Sequence, residues 1–570
     1  MANLIEFRDV TYAYLLRTGE SISALNNVSF QIEHGERIAI IGANGSGKSP
    51  TAKLMNGLLH PITGEVFING KRTTESKHAA EIFSKIGLVF QNPQDQIVAS
   101  LVEEDIAFGP ENLGLAHNDI EQRVQSALLT SGCTHLRQRQ TYLLSGGETQ
   151  KVALAGVLAM QPMCIIFDET TAMLDPNSRT EVLEMMDALN QSGIAIIHIT
   201  HYMDEALLAN RILVFNEGRI VLDGDARTIF KDAQFLDQIN LDLPFLIQNA
   251  RDLHRIIPRI NDFYQNPQDL LNALKGLPDF EWQESEIFER KKHRKKIIDV
   301  KGLCFAYSKG SPLEQKALHD VTFKVSQGDS MGLVGSNGSG KSTLLQHLNG
   351  IYRPQQGAVE VGPFNLVDPA VDVRALRKKV SLIFQQPEKQ FFETYVGDEI
   401  AYAARTLGYA GKLVDVVSQA MHTVGLDFEV YKDRPVASLS SGQKRRVALA
   451  SYIVIQPEIY LLDEPFAGLD PKTHQKIARF VRDLHRQGKT VILSTHDMRD
   501  LCQICEKVIM LHEGKNIYFG TLPHFFHQLK QRSSALQPPL ELQIADVLRL
   551  KGFRIPSTAL DWSTIFSAIQ

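Results

Sequence analysis

Eight residues near the start of the chain, Gly42, Ala43, Asn44, Gly45, Ser46, Gly47, Lys48 and Ser49, combine three glycines with a lysine and a hydroxyl. Such a stretch can wrap a phosphate chain. Its glycines let the backbone close in, and N–H groups at the start of the following helix donate to phosphate oxygens. Lys48 is placed to neutralise β- and γ-phosphate charge, and Ser49 to offer its hydroxyl to Mg2+. The stretch recurs as Gly335, Ser336, Asn337, Gly338, Ser339, Gly340, Lys341 and Ser342, with the two lysines 293 residues apart. A matched pair points to two nucleotide sites rather than two incidental glycine turns.

Two apolar runs, Met163–Glu169 and Ile459–Glu464, end in Asp-Glu. A buried strand that delivers two acids at its carboxyl end needs a cation nearby to offset desolvation and like-charge repulsion. Asp168 and Asp463 are therefore candidates for the Mg2+ shell, and Glu169 and Glu464 for polarising an attacking water. His201 and His496 each close another apolar strand and are candidates for the γ-phosphate. A lone histidine there is usually structural; two at matching positions beside nucleotide motifs favour the chemical role.

These landmarks expose an internal repeat. Phe90-Gln91 recurs at Phe384-Gln385, Asp168-Glu169 at Asp463-Glu464 and His201 at His496, at offsets of 294 or 295 residues. The chain is two homologous halves. In the first, Arg37–Ile41, Ile86–Phe90, Met163–Asp168 and Ile194–Thr200 are short β-branched runs that suit strands buried on both faces of a mostly parallel sheet. Ser330–Val334, Val380–Phe384, Glu458–Asp463 and Thr490–Ser494 are their counterparts. Helical patterns such as Glu148–Met160 lie between, so each half is an α/β domain. The boundaries read as domain one over 4–245, a helical tail and basic linker over 246–296, domain two over 297–530 and a helical tail over 531–570.

Composition narrows the function class. Of the 570 residues, 44% are hydrophobic and 22% charged, as in soluble proteins with large cores. Sixty Lys and Arg against 65 Asp and Glu leave −5, which argues against a nucleic-acid coat. No apolar run approaches the ~18–20 residues of a membrane span, and Met1–Glu6 lacks the pattern of a secretory leader, so a cytosolic chain is expected. Five cysteines make no disulfide framework. Cys502 and Cys505 lack a second pair for zinc and read as helix core. The basic run Arg290–Lys296 reads as a solvated linker, with contact to an anionic membrane surface as the alternative.

Leu144-Ser145-Gly146-Gly147-Glu148 and Leu439-Ser440-Ser441-Gly442-Gln443 each open a helix. They resemble the signature sequence of ABC ATPases, which in that family binds the γ-phosphate held by the opposite domain. Tyr14 and Tyr307, each 34 residues before its lysine, resemble the aromatic that stacks on adenine. Gln91 and Gln385 match the glutamine that reaches Mg2+ and faces the membrane partner. Leu174-Asp175 and Leu469-Asp470 match the loop between the two sites. The resemblance covers nearly all of the chain outside the tails and implies tandem ATP- and Mg2+-dependent ATPase domains. Within the family, Phe90-Gln-Asn-Pro-Gln-Asp-Gln96, Val102-Glu-Glu-Asp-Ile-Ala-Phe-Gly-Pro-Glu-Asn112 and the divergent Phe384-Gln-Gln-Pro-Glu-Lys-Gln390 are similar to energy-coupling factor (ECF) ATPases. That likeness implies a peripheral protein on the cytoplasmic face of the membrane. It would work with a membrane coupling subunit and a small substrate-binding membrane protein to take up a vitamin, a vitamin precursor or a metal ion. No nucleic-acid partner is implied.

Head-to-tail pairing of the halves within one chain, as the resemblance implies, gives two composite sites. Site one joins Lys48, Gln91, Glu169 and His201 to Ser440–Gln443; site two joins Lys341, Gln385, Glu464 and His496 to Ser145–Glu148. Site one departs from the family pattern twice. Pro50 stands where the second half has Thr343, removing an N–H from the first helical turn while leaving the helix tolerable. Ser441 replaces the first signature glycine, adding a side chain where backbone should approach closely. Site two is therefore expected to do most of the hydrolysis; Glu148, in place of the usual glutamine, is its one acidic departure. A twin-domain ABC translation factor acting on ribosomes and a fused sugar-importer ATPase are the rival readings.

Overall fold

The computed structural model describes residues 3–15, 21–172, 174, 176–278, 295–311, 314–336, 338–385, 391–439, 441–466, 469, 471–531 and 538–569. The chain forms two compact units, Met1–Asn272 and Ala273–Gln570.

In the N-terminal unit the strands are β1 (Ile5–Leu15), β2 (Ser21–Ile32), β3 (Arg37–Gly42), β4 (Thr63–Ile68), β5 (Lys71–Arg72), β6 (Ile86–Val89), β7 (Cys164–Asp168), β8 (Ala195–Ile199), β9 (Arg211–Asn216) and β10 (Arg219–Gly224). Six of them form a sheet in the order β10-β9-β3-β8-β7-β6, parallel throughout except for the antiparallel edge strand β10. Every residue of β3, β7 and β8 is buried, which is why these strands read as unbroken apolar runs. The sequence-derived strand limits hold to within a residue at each end.

A second sheet, antiparallel and in the order β2-β1-β4-β5, was not among the expected elements. Its residues alternate: Val28, Phe30 and Ile32 are buried while Ser29 and Gln31 between them are exposed. Phe7, Phe30 and Val66 from this sheet share one apolar core with Ile38 and Ile40 of β3 and with Leu54 and Met55 of the helix Lys48–Met55. The helix that follows the glycine loop is thus held between two sheets. A separate core of Val102, Ile106, Val124, Leu128, Val152 and Ala155 joins helices Val102–Asn112, His117–Thr130 and Gly146–Ala159. It fixes the helix that Ser145 opens.

The C-terminal unit repeats this plan with β11 (Lys296–Tyr307), β12 (Gln315–Ser326), β13 (Ser330–Val334), β14 (Gln356–Val361), β15 (Phe364–Asn365), β16 (Val380–Ile383), β17 (Ile459–Asp463), β18 (Thr490–Ser494), β19 (Lys507–His512) and β20 (Lys515–Thr521). Its sheets run β12-β11-β14-β15 and β16-β17-β18-β13-β19-β20, the same topology. The tails are helical, and the helices Phe245–Ile256 and Leu540–Leu550 each have a proline, Pro244 and Pro539, at the N-cap. Cys502 and Cys505 are free thiols buried at the end of helix Met498–Ile504, and burial pushes Cys505 up to about 12.

Candidate functional site

Each glycine loop runs from the carboxyl end of a buried strand, β3 or β13, into a helix of eight residues, Lys48–Met55 or Lys341–Leu348. Gly47 and Gly340 cap these helices at φ 108° and 99°, a region that excludes most other residues. Space also demands glycine at the loop's start. A Cβ on Gly42 would lie 2.4 Å from the Phe215 carbonyl oxygen, and one on Gly335 would lie 2.4 Å from that of Leu511. The start of each loop is therefore packed against the backbone of a neighbouring strand, where no side chain fits.

Lys48 is 5% exposed and curls over its own loop, donating to the carbonyls of Gly42 at 2.7 Å and Ala43 at 3.1 Å. Lys341 does the same with Gly335 at 2.8 Å and Ser336 at 3.0 Å. The hydroxyls of Ser46 and Ser339 are buried inside these loops and make no hydrogen bond among the described residues. Buried hydroxyls without a partner are costly. In a glycine cradle facing a lysine, they suit the oxygens of a phosphate chain.

Sheet register brings the acids and histidines together. Asp168 on β7 pairs with Ile199 on β8, two residues before His201; Asp463 on β17 pairs with Ser494 on β18, two before His496. Glu169 and Glu464 take φ values of 50° and 46°, left-handed for a non-glycine residue. That backbone turn aims each glutamate at the same three neighbours. Glu169 accepts from Gln91 Nε2 at 2.9 Å and lies 3.7 Å from His201 Nδ1 and 3.9 Å from Lys48 Nζ. Glu464 accepts from Gln385 Nε2 at 3.0 Å and lies 3.5 Å from His496 Nδ1 and 4.0 Å from Lys341 Nζ.

The two acids of each pair are pushed in opposite directions. Desolvation, reinforced by the charge of Glu169, raises Asp168 to about 6, although Ser49 Oγ lies 3.2 Å away and opposes the shift. Desolvation likewise raises Asp463 against hydrogen bonds from Ser342 and Ser494. Desolvation also acts on Glu169 and Glu464, but their histidine and lysine neighbours outweigh it and hold both below the usual carboxylate range. The pattern leaves an ionised glutamate beside an aspartate that needs a cation. Serine, aspartate and glutamine oxygens are hard donors of the kind Mg2+ takes. Ser49 with Asp168, and Ser342 with Asp463, therefore fit Mg2+, whereas the side-chain amides of Gln91 and Gln385 donate to Glu169 and Glu464.

A family profile described as "ABC transporter" matches residues 25–172 and 318–467. The chain belongs to the ABC transporter ATPase family. A protein of Methanosarcina acetivorans named "Putative ABC transporter ATP-binding protein" is 32% identical over 97% of this chain and 91% of its own. One of the same description from Caldanaerobacter subterraneus subsp. tengcongensis is 31% identical over 95% of each chain. A solved structure of cbiO1 from Clostridium perfringens, titled as part of the ABC transporter complex cbiONQ, is 33% identical over 42% of this chain and 95% of its own, with a TM-score of 0.38.

In this ABC ATPase, Ser145 is the N-cap of helix Gly146–Ala159 and forms a capping box with Glu148. Glu148 accepts from the Ser145 N–H at 2.8 Å and from Arg139 Nη1 at 3.1 Å. The acidic departure is thus tied down by a cap and a cation. A Cβ on Gly147 would meet Ser178 Oγ at 3.0 Å, whereas one on Gly146 would meet nothing within 4 Å. Gly146 is the residue that corresponds to Ser441 in the repeat. The helix Ser441–Ile453 carries Gly442 in its first turn. Asn337, Ser440, Asp175, Asp470, residues 386–390 and residues 290–294 lie outside the described residues.

Tyr307 donates to or accepts from Thr343 Oγ1 at 2.8 Å and packs edge-on against Phe305. Tyr14 packs edge-on against Tyr12 and is 40% exposed. Pro50 leaves the helix of the first loop the same length as its counterpart but supplies no hydroxyl. Two residues escaped the sequence reading. Asp105 accepts from the backbone N–H groups of Val98 and Ala99 at 2.7 and 3.0 Å; Glu399 accepts from those of Phe392 and Glu393 at 2.9 and 2.8 Å. These buried carboxylates hold the segment that follows each glutamine. Only their place in the first turn of a helix hinted at an N–H acceptor role.

Proposed function

We propose that this ABC ATPase is the energy-coupling subunit of an ECF-type importer, acting at the cytoplasmic face of a membrane on a separate coupling subunit and a small substrate-binding protein. The substrate class is a vitamin, a vitamin precursor or a metal ion. The observation that carries this reading is the sequence Phe90–Gln96 followed by Val102–Asn112, with its second version from Phe384. Large apolar side chains lie exposed in and after these segments: Val98 at 61%, Phe108 at 49% and Phe392 at 76%. They support a protein partner at these segments of each unit. Among the described residues no helix is long and apolar enough to cross a membrane.

In this reading two ATP molecules close the halves into a clamp, each triphosphate held by one half's glycine loop and the other half's signature serine. Lys48 and Lys341 leave their loop carbonyls for phosphate oxygens. Glu464, ionised and held by Gln385 and His496, orients a water in line with the γ-phosphorus and receives its proton as the bond to the ADP oxygen breaks. His496 donates to the γ-phosphate. Mg2+ would add charge neutralisation at the β- and γ-oxygens. Tyr307 and Tyr14 offer ring faces to adenine. Site two carries most of the turnover, because site one lacks the N–H that Thr343 provides at position 50 and bears Ser441.

Detergent pull-down of the full chain from native membranes tests the reading. Recovery of a polytopic coupling subunit with a small binding protein supports it. Recovery of ribosomal RNA, or of sugar-permease subunits, overturns it.

A further inference from the structure

Arg445 lies on the helix Ser441–Ile453, one turn inside its start, and is 5% exposed. Its guanidinium is spread over backbone carbonyls from two other segments. Nη1 donates to Gln385 at 2.5 Å, Nη2 to Glu464 at 2.9 Å and Nε to Pro465 at 3.4 Å. A guanidinium is a rigid planar fork, so it fixes its acceptors relative to one another. Two of the three acceptors are the main chains of the residues whose side chains meet, Gln385 Nε2 to Glu464 Oε2 at 3.0 Å. Glu464 also sits at a left-handed φ of 46°, a conformation that surrounding contacts must sustain. Arg445 supplies such a contact on the carbonyl of that same residue.

The repeat shows that the fold itself does not require this group. The matching position in the N-terminal unit is Gln150, also buried, and it makes no hydrogen bond to Gln91, Glu169 or Thr170 among the described residues. Yet the N-terminal glutamate and glutamine adopt the same pairing at 2.9 Å. The clamp is thus an addition to one half, placed where the signature helix, the glutamine segment and the acid pair converge.

We infer that Arg445 is a positioning residue for ATP hydrolysis in the C-terminal half, holding Gln385 and Glu464 in register with each other. This rests on Glu464 being the group that orients water. Because Arg445 sits in the signature helix of its own half, it also ties that helix mechanically to the acid pair.

Steady-state hydrolysis by the full-length chain tests the inference, with Arg445→Gln, Arg445→Lys and Glu464→Gln measured beside the unaltered protein. Arg445→Gln, which copies Gln150, is expected to lower kcat about 10- to 100-fold, as a displaced catalytic group does. KM and the affinity for a fluorescent ATP analogue should stay within about two-fold, since no phosphate-binding residue is touched. Arg445→Lys keeps the charge but reaches fewer carbonyls and should recover part of the loss. An unchanged kcat in Arg445→Gln overturns the inference, as does a parallel fall in affinity and melting temperature, which marks a purely structural role. If Arg445→Gln does not fold, Arg445→Lys is judged by the same split. If Glu464→Gln keeps full activity, the assignment of Glu464 fails, whatever Arg445 does.

Discussion

The phenolic oxygen of Tyr307 and Oγ1 of Thr343 lie 2.8 Å apart, and the N-terminal unit has no equivalent of this bond because Pro50 occupies the threonine's place. The two halves share topology, loop conformation and acid geometry to within a few tenths of an ångström. They differ at Pro50 against Thr343, at Gln150 against Arg445 and at Ile199 against Ser494, which donates to Asp463. The proposed inequality between the sites would then be local chemistry on a common scaffold.

Pro50→Thr should restore both the N–H and the hydroxyl. Regaining one charge-assisted hydrogen bond is worth roughly 1.5–3 kcal/mol, about 10- to 150-fold in affinity. Calorimetric titration with ATP should show the weaker of two binding events tightening. Two events that stay as far apart as before would contradict the assignment of Pro50 as the weak point.

Phosphate release separates the halves. Glu464→Gln should abolish most turnover, whereas Glu169→Gln should leave the larger share. The contrary ranking makes the N-terminal loop the stronger site.

Much of this arrangement was legible in the residues alone, and the reasons are physical. β3, β7 and β8 read as strands because burial on both faces removes polar residues from them. The glycine loops and acid pairs were visible because their chemistry needs fixed spacing within one segment. The antiparallel sheet of β2 and β1 was missed because its strands alternate and were not sought by unbroken apolarity. The left-handed turn of Glu169 leaves no trace in residue type, since glutamate has no preference for that conformation. Arg445 was hidden by distance: its acceptors lie 60, 19 and 20 residues away.

Asp105→Ala and Glu399→Ala each remove a buried acceptor of two backbone N–H groups. Leaving such donors unsatisfied costs about 1–3 kcal/mol. Because the loss falls on the exposed segment after the glutamine, recovery of membrane partners in pull-down should drop while hydrolysis by the isolated chain persists. Equal loss of both would assign these carboxylates to the ATP site instead.

Stability above neutral pH should fall in part through His474. His474 Nε2 lies 2.9 Å from Asp500; desolvation lowers its pKa, but Asp500, with help from Asp497 and against Arg499, holds it above the ordinary 6.5. Burial raises Asp500 as well, so the gain comes from charging the imidazole. The contribution is complete below 6.5 and is lost as pH rises through the raised value. At the matching place the first half uses Arg179 on Glu205 at 2.6 Å. Denaturant unfolding at pH 6 and pH 8.5 should show His474→Arg gaining up to about 1 kcal/mol over the unaltered chain at the higher pH only. A gain independent of pH would rule out the imidazole charge as its source.

Everything in the proposed cycle depends on nucleotide being shared between the halves. A cryo-EM map of the Glu464→Gln chain saturated with Mg-ATP tests this most directly. The expected result is Ser145 against the triphosphate held by Lys341, and Ser440 against the one held by Lys48. Triphosphates each contacted by a single half would contradict it.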